Sequence, residues 1–161
     1  MAAEMFPHLD PYGRARMVDI GAKPETEREA VARGRVVMRP ETLDLVRRGQ
    51  VAKGDVLAVA QVAGVMAAKR TPDLIPLCHP LLINAVEVRF NFNDELSALE
   101  VEATVRVNGR TGAEMEALTA VAVAALTVYD MCKGLDPAIR VEAIRLARKR
   151  GGKSGEVVLE P

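Results

Sequence analysis

At 161 residues, 49% hydrophobic and 27% charged, the chain has the length of one domain and enough apolar content to bury a core, which excludes a disordered polymer. Lys+Arg and Asp+Glu balance at 22 each, and aromatics make up 3% with no Trp, which removes both a whole-molecule attraction to nucleic acid and an aromatic platform for single strands. No basic start followed by an apolar stretch and a cleavage site is present, and the longest apolar runs, interrupted by Gln61, Thr119 or Thr127, fall short of a bilayer span, so a cytoplasmic protein with no membrane partner is expected.

Residues 1–7 read as a flexible N-terminal tail. Residues 31–38 (VARGRVVM) predict a first strand. Pro40 then opens a short helix through about Arg48, with Gly49 as its C′ stop. Residues 55–69 carry a helical pattern, and Asp55 is placed to cap it. A proline-punctuated loop, TPDLIPLCHP, follows. In 85–92 the apolar residues Val86, Val88, Phe90 and Phe92 alternate with polar ones, and in 98–107 Leu99, Val101, Ala103, Val105 and Val107 do the same. Period two in both means one buried and one wet face, and Asn93-Asp94-Glu95 supplies the turn of an antiparallel hairpin. A second long helix runs from Gly112 to about Cys132, with Thr111 and Glu114 as a capping box and Gly134 at C′. A strand near 138–147 and a short one over Glu156–Leu159 complete one domain spanning 1–161. Within it, residues 148–155 form a flexible, basic, glycine-rich segment. The order strand, helix, hairpin, helix, strand predicts an α+β, ferredoxin-like βαββαβ sandwich, with an antiparallel sheet and two long helices on one face.

Both long helices are apolar nearly all round. From Ala117 to Val128 only Thr119 and Thr127 are polar. A helix resting on one sheet needs a single apolar stripe, so the surplus predicts burial against further subunits.

Chemistry-bearing residues lie between and at the ends of these elements. His79 sits in Pro76-Leu77-Cys78-His79-Pro80, where two prolines stiffen the loop and present one imidazole. That suits acid/base work or substrate binding, and equally a histidine that satisfies a backbone carbonyl. A metal site built from Cys78, His79 and Cys132 matches no zinc spacing, because adjacent residues rarely point at one ion. Asp130 and Lys133, three apart, share a face at a helix end. The helix dipole favours the lysine there and disfavours the acid, so the pair is a simple surface ion pair or a functional one. Glu114 has its explanation as a cap, whereas Glu116 has none. Lys53-Gly54 precedes the Asp55 cap, where a lysine and a helix N-terminus suit a phosphate. The tail Arg148-Lys149-Arg150-Gly151-Gly152-Lys153-Ser154-Gly155 is not a phosphate-binding P-loop, since Ala147 stands where the first glycine belongs and no helix follows.

Taken together, several stretches resemble one family over about His8 to Val158. They are His8-Leu9-Asp10, Met17-Val18-Asp19-Ile20, and the run Lys23, Thr26, Arg28, Ala30, Ala32. With them go Asp73-Leu74-Ile75-Pro76-Leu77-Cys78-His79-Pro80, Thr111-Gly112-Ala113-Glu114-Met115-Glu116-Ala117-Leu118, Tyr129-Asp130-Met131-Cys132-Lys133 and Gly151-Gly152-Lys153-Ser154-Gly155. The family is that of MoaC, the cyclic pyranopterin monophosphate synthases of molybdenum-cofactor biosynthesis. The resemblance implies conversion of 3′,8-cyclo-7,8-dihydroguanosine 5′-triphosphate to cyclic pyranopterin monophosphate with release of pyrophosphate, without a cofactor. It implies a homohexamer, a trimer of dimers with the active site at the dimer interface. It also implies that Asp130 and Lys133 are catalytic, helped by Lys53, and that Leu77, Cys78, His79, Met115 and Glu116 line the substrate pocket. Glu114 would support that pocket, with Arg28, Lys149 and Lys153 on the phosphate side. Two other classes remain. A non-catalytic ferredoxin-like sensor would tolerate loss of Asp130 and Lys133. A nucleic-acid-binding domain needs a basic sheet face, whereas Glu87, Glu100 and Glu102 share that face with Arg89 and Arg106.

Overall fold

The computed structural model describes residues 7–160, so all of the expected tail except Pro7 lies outside the described residues. The elements are β1 (Thr26–Val37), α1 (Pro40–Arg47), α2 (Val56–Lys69), α3 (Thr71–Leu74), β2 (Ile83–Asn93), β3 (Ala98–Gly109), α4 (Glu114–Cys132), β4 (Arg140–Arg150) and β5 (Glu156–Val158). The strands form one sheet in the order β2-β3-β1-β4-β5, and every neighbouring pair is antiparallel. This is the ferredoxin-like arrangement, with β5 added beyond β4. Helix α4 packs across β1, β3 and β4, α2 packs on β2, and the two helices pack on each other.

The alternation in β2 and β3 has the expected consequence. Leu99, Val101, Ala103, Val105 and Val107 are all buried, and they join Ala30, Ala32 and Val36 of β1 beneath Ala117, Val121, Ala124 and Val128 of α4. With so few aromatics, this core is filled by many small side chains at close spacing. Gly64 of α2 marks a close contact between the two long helices: a Cβ there would stand 3.1 Å from the Ala120 carbonyl oxygen and 3.1 Å from Val88 Cγ2.

Local signals hold unevenly. Asp55 caps α2 by accepting from the Ala58 amide at 3.0 Å. Gly49 ends α1 at φ +64°, and the Gly49 and Gln50 amides return to the Val46 and Leu45 carbonyls, a Schellman closure. Gly134 plays no such part, since its φ is not positive; the Leu135 and Asp136 amides turn back to the Cys132 carbonyl instead. The capping box of Thr111 and Glu114 does not form: Ala113 is the N-cap residue, with no side-chain capping bond. Glu114 pairs with Lys149 instead, at 3.0 Å. The hairpin turn falls at 94–97, one residue later than expected, and TPDL within the proline loop makes one helical turn.

β1 begins five residues before the expected start because Thr26–Ala30 pair along β3, and charged Glu27, Arg28 and Glu29 conceal the alternation there. Arg148, Lys149 and Arg150, expected in a flexible segment, are paired strand residues of β4. The sheet face away from the helices is a network of both signs. Glu29, 5% exposed, accepts from Arg106 at 2.6 Å and Arg148 at 2.9 Å, and Arg33 bonds Glu102 at 2.8 Å. These arginines are paired with acids, so this face lacks the unneutralised positive charge that phosphate backbones require. Helix α4 is long and apolar enough to cross a membrane by length and composition, but here it is the core helix, with Ala117, Ala120, Val121, Ala124, Ala125 and Val128 fully buried.

Candidate active site

Two clusters form, one at each end of α4. At its N-terminal end lies a cleft of about 420 Å³. Leu77, Cys78 and His79 of the stiff loop form one wall, and Thr111, Gly112, Glu114 and Met115 the adjacent one. Pro7, His8, Val18, Ile20 and Lys23 complete it from the N-terminal segment. The His79 imidazole is not free, because its Nε2 lies 2.7 Å from the Val18 carbonyl oxygen. Nε2 therefore carries the proton and donates, which leaves Nδ1 as the unprotonated nitrogen when the ring is neutral. The bond also pins the N-terminal segment against the loop.

Cys78 Sγ lies 3.6 Å from Glu116 Oε1. Burial pushes this thiol up to about 11, and the charge of Glu116 adds to it, so it stays protonated near neutral pH and is no nucleophile. Glu116 itself is 1% exposed. It lies beneath Cys78, not on the cleft wall.

Next to the cleft, sharing Gly112 and Glu114 with it, is a small hollow lined by Arg28, Lys149 and Arg150 together with Glu29, Gly151 and Ser154. Arg28 donates through Nε to the Gly109 carbonyl at 3.0 Å. The backbone closes over it at Gly151 and Gly152, whose φ values are +99° and +70°. A Cβ on Gly151 would stand 2.1 Å from the Glu27 carbonyl oxygen, which is backbone, so only glycine fits there. The first amides of α4 have no side-chain cap, and their partial positive charge adds to these cations. Lys153 sits on the Gly151–Gly155 turn and lines neither the hollow nor the cleft.

The second cluster stands at the other end of the same helix. Lys133 Nζ lies 2.7 Å from Asp130 Oδ1. Lys53 donates to the Asp130 carbonyl at 2.8 Å, with Nζ 3.8 Å from Oδ2. Lys53 therefore turns to Asp130 and not to the α2 N-terminus, which the Asp55 carboxylate already occupies. The hydrogen bond and charge of Lys133, then the charge of Lys53, hold Asp130 below the usual carboxylate range. The Asp130 hydrogen bond raises Lys133 in turn. Cys132 is buried at this same end, a helix away from Cys78. Among the described residues no group of three His, Cys, Asp or Glu is arranged to hold a metal ion.

Helix α4 thus brings Leu77, Cys78, His79, Glu114 and Met115 together, with Arg28 and Lys149 adjoining, and holds Asp130, Lys133 and Lys53 apart from them. Sixteen residues from Glu114 to Asp130 at 1.5 Å each make about 24 Å. The cleft residues His8, Val18, Ile20, Lys23 and Thr111, and Arg150 and Ser154 of the hollow, were given no site role from the sequence alone, Thr111 being read only as a helix cap. Their signal was there, since nearly all of them stand in or beside the stretches that carry the family resemblance.

A stiff histidine loop beside a cleft and a small hollow at an uncapped helix end, with a Lys-Asp-Lys cluster at the other end of that helix, stand on a ferredoxin-like sheet, the arrangement of an enzyme with a small-molecule substrate. The model of the MoaC family matches residues 17–152, and the chain belongs to that family. It is 63% identical over 153 residues, 95% of this chain and 97% of the relative, to the cyclic pyranopterin monophosphate synthase of Roseiflexus castenholzii. The proteins of the same name from Thermomicrobium roseum and Natranaerobius thermophilus are 64% identical over 148 residues and 55% over 152. These cover 92% and 94% of this chain, and 89% and 96% of the relatives.

Proposed function

We propose that the chain is a cyclic pyranopterin monophosphate synthase of molybdenum-cofactor biosynthesis, converting 3′,8-cyclo-7,8-dihydroguanosine 5′-triphosphate to cyclic pyranopterin monophosphate and pyrophosphate. The observation that carries this reading is the pairing of the Leu77–His79 cleft with the small hollow, a ring-sized space beside three cationic side chains, in a chain 63% identical to a synthase of that name. The whole chain acts as one domain, in the cytoplasm, with no metal, cofactor, nucleic acid or membrane involved.

Closing the cyclic phosphate joins a hydroxyl oxygen to the α-phosphorus as the bond to pyrophosphate breaks, and the hydroxyl proton needs an acceptor. Asp130, ionised, is that acceptor, and Lys133, protonated, is the donor for ring opening and closure. Lys53 holds the Asp130 carboxylate in place and adds positive charge. Arg28, Lys149 and the α4 amides neutralise the leaving pyrophosphate, with Lys153 at the rim.

An acid or base works only within hydrogen-bond reach of the substrate, and on one chain Asp130 stands about 24 Å from the cleft along α4. The site is therefore completed by a second copy, whose Asp130 end meets the cleft of the first. Apolar residues on the helix layer support a symmetric assembly. Val59, Val62 and Met66 of α2 and Leu126 of α4 are 47–59% exposed, more apolar surface than the sheet of one chain covers. The assembly is a hexamer, a trimer of dimers. Incubation with the cyclised triphosphate, before and after exhaustive chelation, with assay of pyrophosphate and of the cyclic phosphate, tests the reading. No product, or activity lost on chelation and restored by metal, overturns it.

A further inference from the structure

Asp136 is an acid beside the Lys-Asp-Lys cluster that the proposed reaction leaves unused. Burial raises the Cys132 thiol, and the charges of Lys53 and Asp136 act on it in opposite senses, which places both at this end of α4. Between buried Cys132 and buried Ile139, Asp136 alone is buried; Lys133, Gly134, Leu135, Pro137 and Ala138 are exposed. Its Oδ2 accepts from the Arg39 amide at 2.8 Å, and its Oδ1 from the Ala138 amide at 3.1 Å. The Arg39 guanidinium lies 3.5 Å from Oδ1 through Nε and donates to the Leu135 carbonyl through Nη2. Thr42 of α1 adds a side-chain bond. Arg39 is the N-cap residue of α1 and makes no side-chain cap, so Asp136, from far along the chain, takes the amide that a capping-box acid would take.

Asp130 and Lys133 stand on the last turn of α4, and a helix end frays unless it is held. The Leu135 and Asp136 amides return to the Cys132 carbonyl, and Gly134 brings no side chain to pack. We infer that Asp136 is a positioning residue for the reaction: its carboxylate clasps the end of α4 to the start of α1 and so holds Lys133 where it meets Asp130. The inference rests on the proposed activity for its kinetic consequence, though not for the geometry. Burial by itself would raise the Asp136 carboxyl, but the Arg39 and Ala138 amides, the charge of Arg39 and the Thr42 bond hold it below the ordinary carboxylate range. The clasp is therefore charged at neutral pH, and charge-assisted bonds are about twice as strong as neutral ones. Asparagine at this position has one oxygen and one NH2, so one of the two amides would face a donor.

A misplacement of about 1 Å can cost about 10²-fold in rate. Asp136→Asn should therefore lose about 10- to 100-fold in kcat. Its dissociation constant for the triphosphate should change by less than about three-fold, because the cleft and hollow belong to the other end of α4. Arg39→Ala removes an exposed side chain and keeps the backbone amide, so it decides the matter even where Asp136→Asn fails to fold. It should lose about 3- to 10-fold in kcat, again with binding kept. Lys133 supplies a readout that needs no substrate. The Asp130 hydrogen bond and charge raise it against desolvation, and Tyr129 adds to them; Lys53 Nζ is 3.8 Å from the same Asp130 carboxylate. Removing the Arg39 cation would by itself raise Lys133 further, whereas a loosened turn weakens its bond to Asp130 and lowers it. In lysine-labelled Arg39→Ala the Lys133 resonance, assigned with Lys133→Arg, should titrate at lower pH than in wild type. A Lys133 titration that is unchanged or raised, an unchanged kcat, or an affinity weakened as much as the rate overturns the inference. Wild type that fails to turn over the triphosphate overturns the proposed activity and leaves the titration to decide the clasp.

Discussion

If Asp130 and Lys133 of one copy act on a substrate held in the cleft of another, two dead variants should rescue each other. His79→Ala damages the cleft end of α4 and Lys133→Ala the opposite end, about 24 Å away at 1.5 Å per residue. Each homo-oligomer has every site broken. In a two-fold heterodimer, one interface site draws its cleft from the Lys133→Ala chain and its acid/base cluster from the His79→Ala chain, so it is intact. The other site carries both lesions. Random mixing makes about half of all dimers heterodimeric, each with one good site of two, which restores about one quarter of wild-type activity. The assay is pyrophosphate release after unfolding and co-refolding equal amounts of the two variants. Light scattering should confirm a mass near six times the 17.4 kDa chain, and native mass spectrometry that the chains have mixed. Mixed oligomers with no activity above the parents would refute the shared site and place the whole reaction within one chain.

Lys133→Ala and Asp130→Ala should stay folded, bind the triphosphate and lose about 10²- to 10⁴-fold in single-turnover rate. Lys153→Ala should instead bind weakly, in a salt-sensitive way, with a smaller loss at saturation; a saturated Lys133→Ala that turns over normally would reverse these roles. Gly64→Ala gains about 1 kcal/mol of helix propensity, but its new Cβ, 3.1 Å from the Ala120 carbonyl oxygen, meets rigid backbone. Overpacking at about 1–3 kcal/mol should prevail, so the urea midpoint should fall, and a rise would show that α2 and α4 can separate freely. For Glu29 burial alone would raise the carboxyl, but the Arg106 hydrogen bond and the charges of Arg150, Arg106 and Arg148 outweigh it and hold it below its ordinary value of 4.5. Its stabilisation is therefore present above that value and lost as pH falls through the folded one. Glu29→Gln should be less stable than wild type at pH 7, the gap narrowing below pH 4.5; a pH-independent gap would mean that packing, not charge, is lost.

The elements themselves were legible in the residues because local rules govern them. Alternation over 85–92 and 98–107 was enough for β2 and β3, since one face of each meets only the core. Asp55 and Gly49 marked helix ends through bonds closed within a few residues of chain. The excess of apolar residues in α2 and α4 likewise announced surfaces that one sheet does not cover. The family resemblance named candidate site residues without regard to where they lie in space.

Tertiary structure decided the rest, wherever a partner came from far along the chain. Glu114 had a local partner available in the Thr111 amide and took Lys149 from β4, because a full ion pair outweighs one carboxylate–amide bond. β1 extends to Thr26 through pairing with β3, seventy and more residues away, which its charged start does not signal. Arg148–Arg150 look like a loose basic tail until Glu29 collects Arg148 and Arg150 against the sheet. Glu116 and Glu114 differ by two positions in sequence, yet one is buried without a cation and the other is paired at the cleft edge. The straight rod of α4 separates the two clusters that the resemblance had joined. Sequence spacing counts residues, while chemistry depends on distance and burial, and for a helix end these are settled by what packs against it.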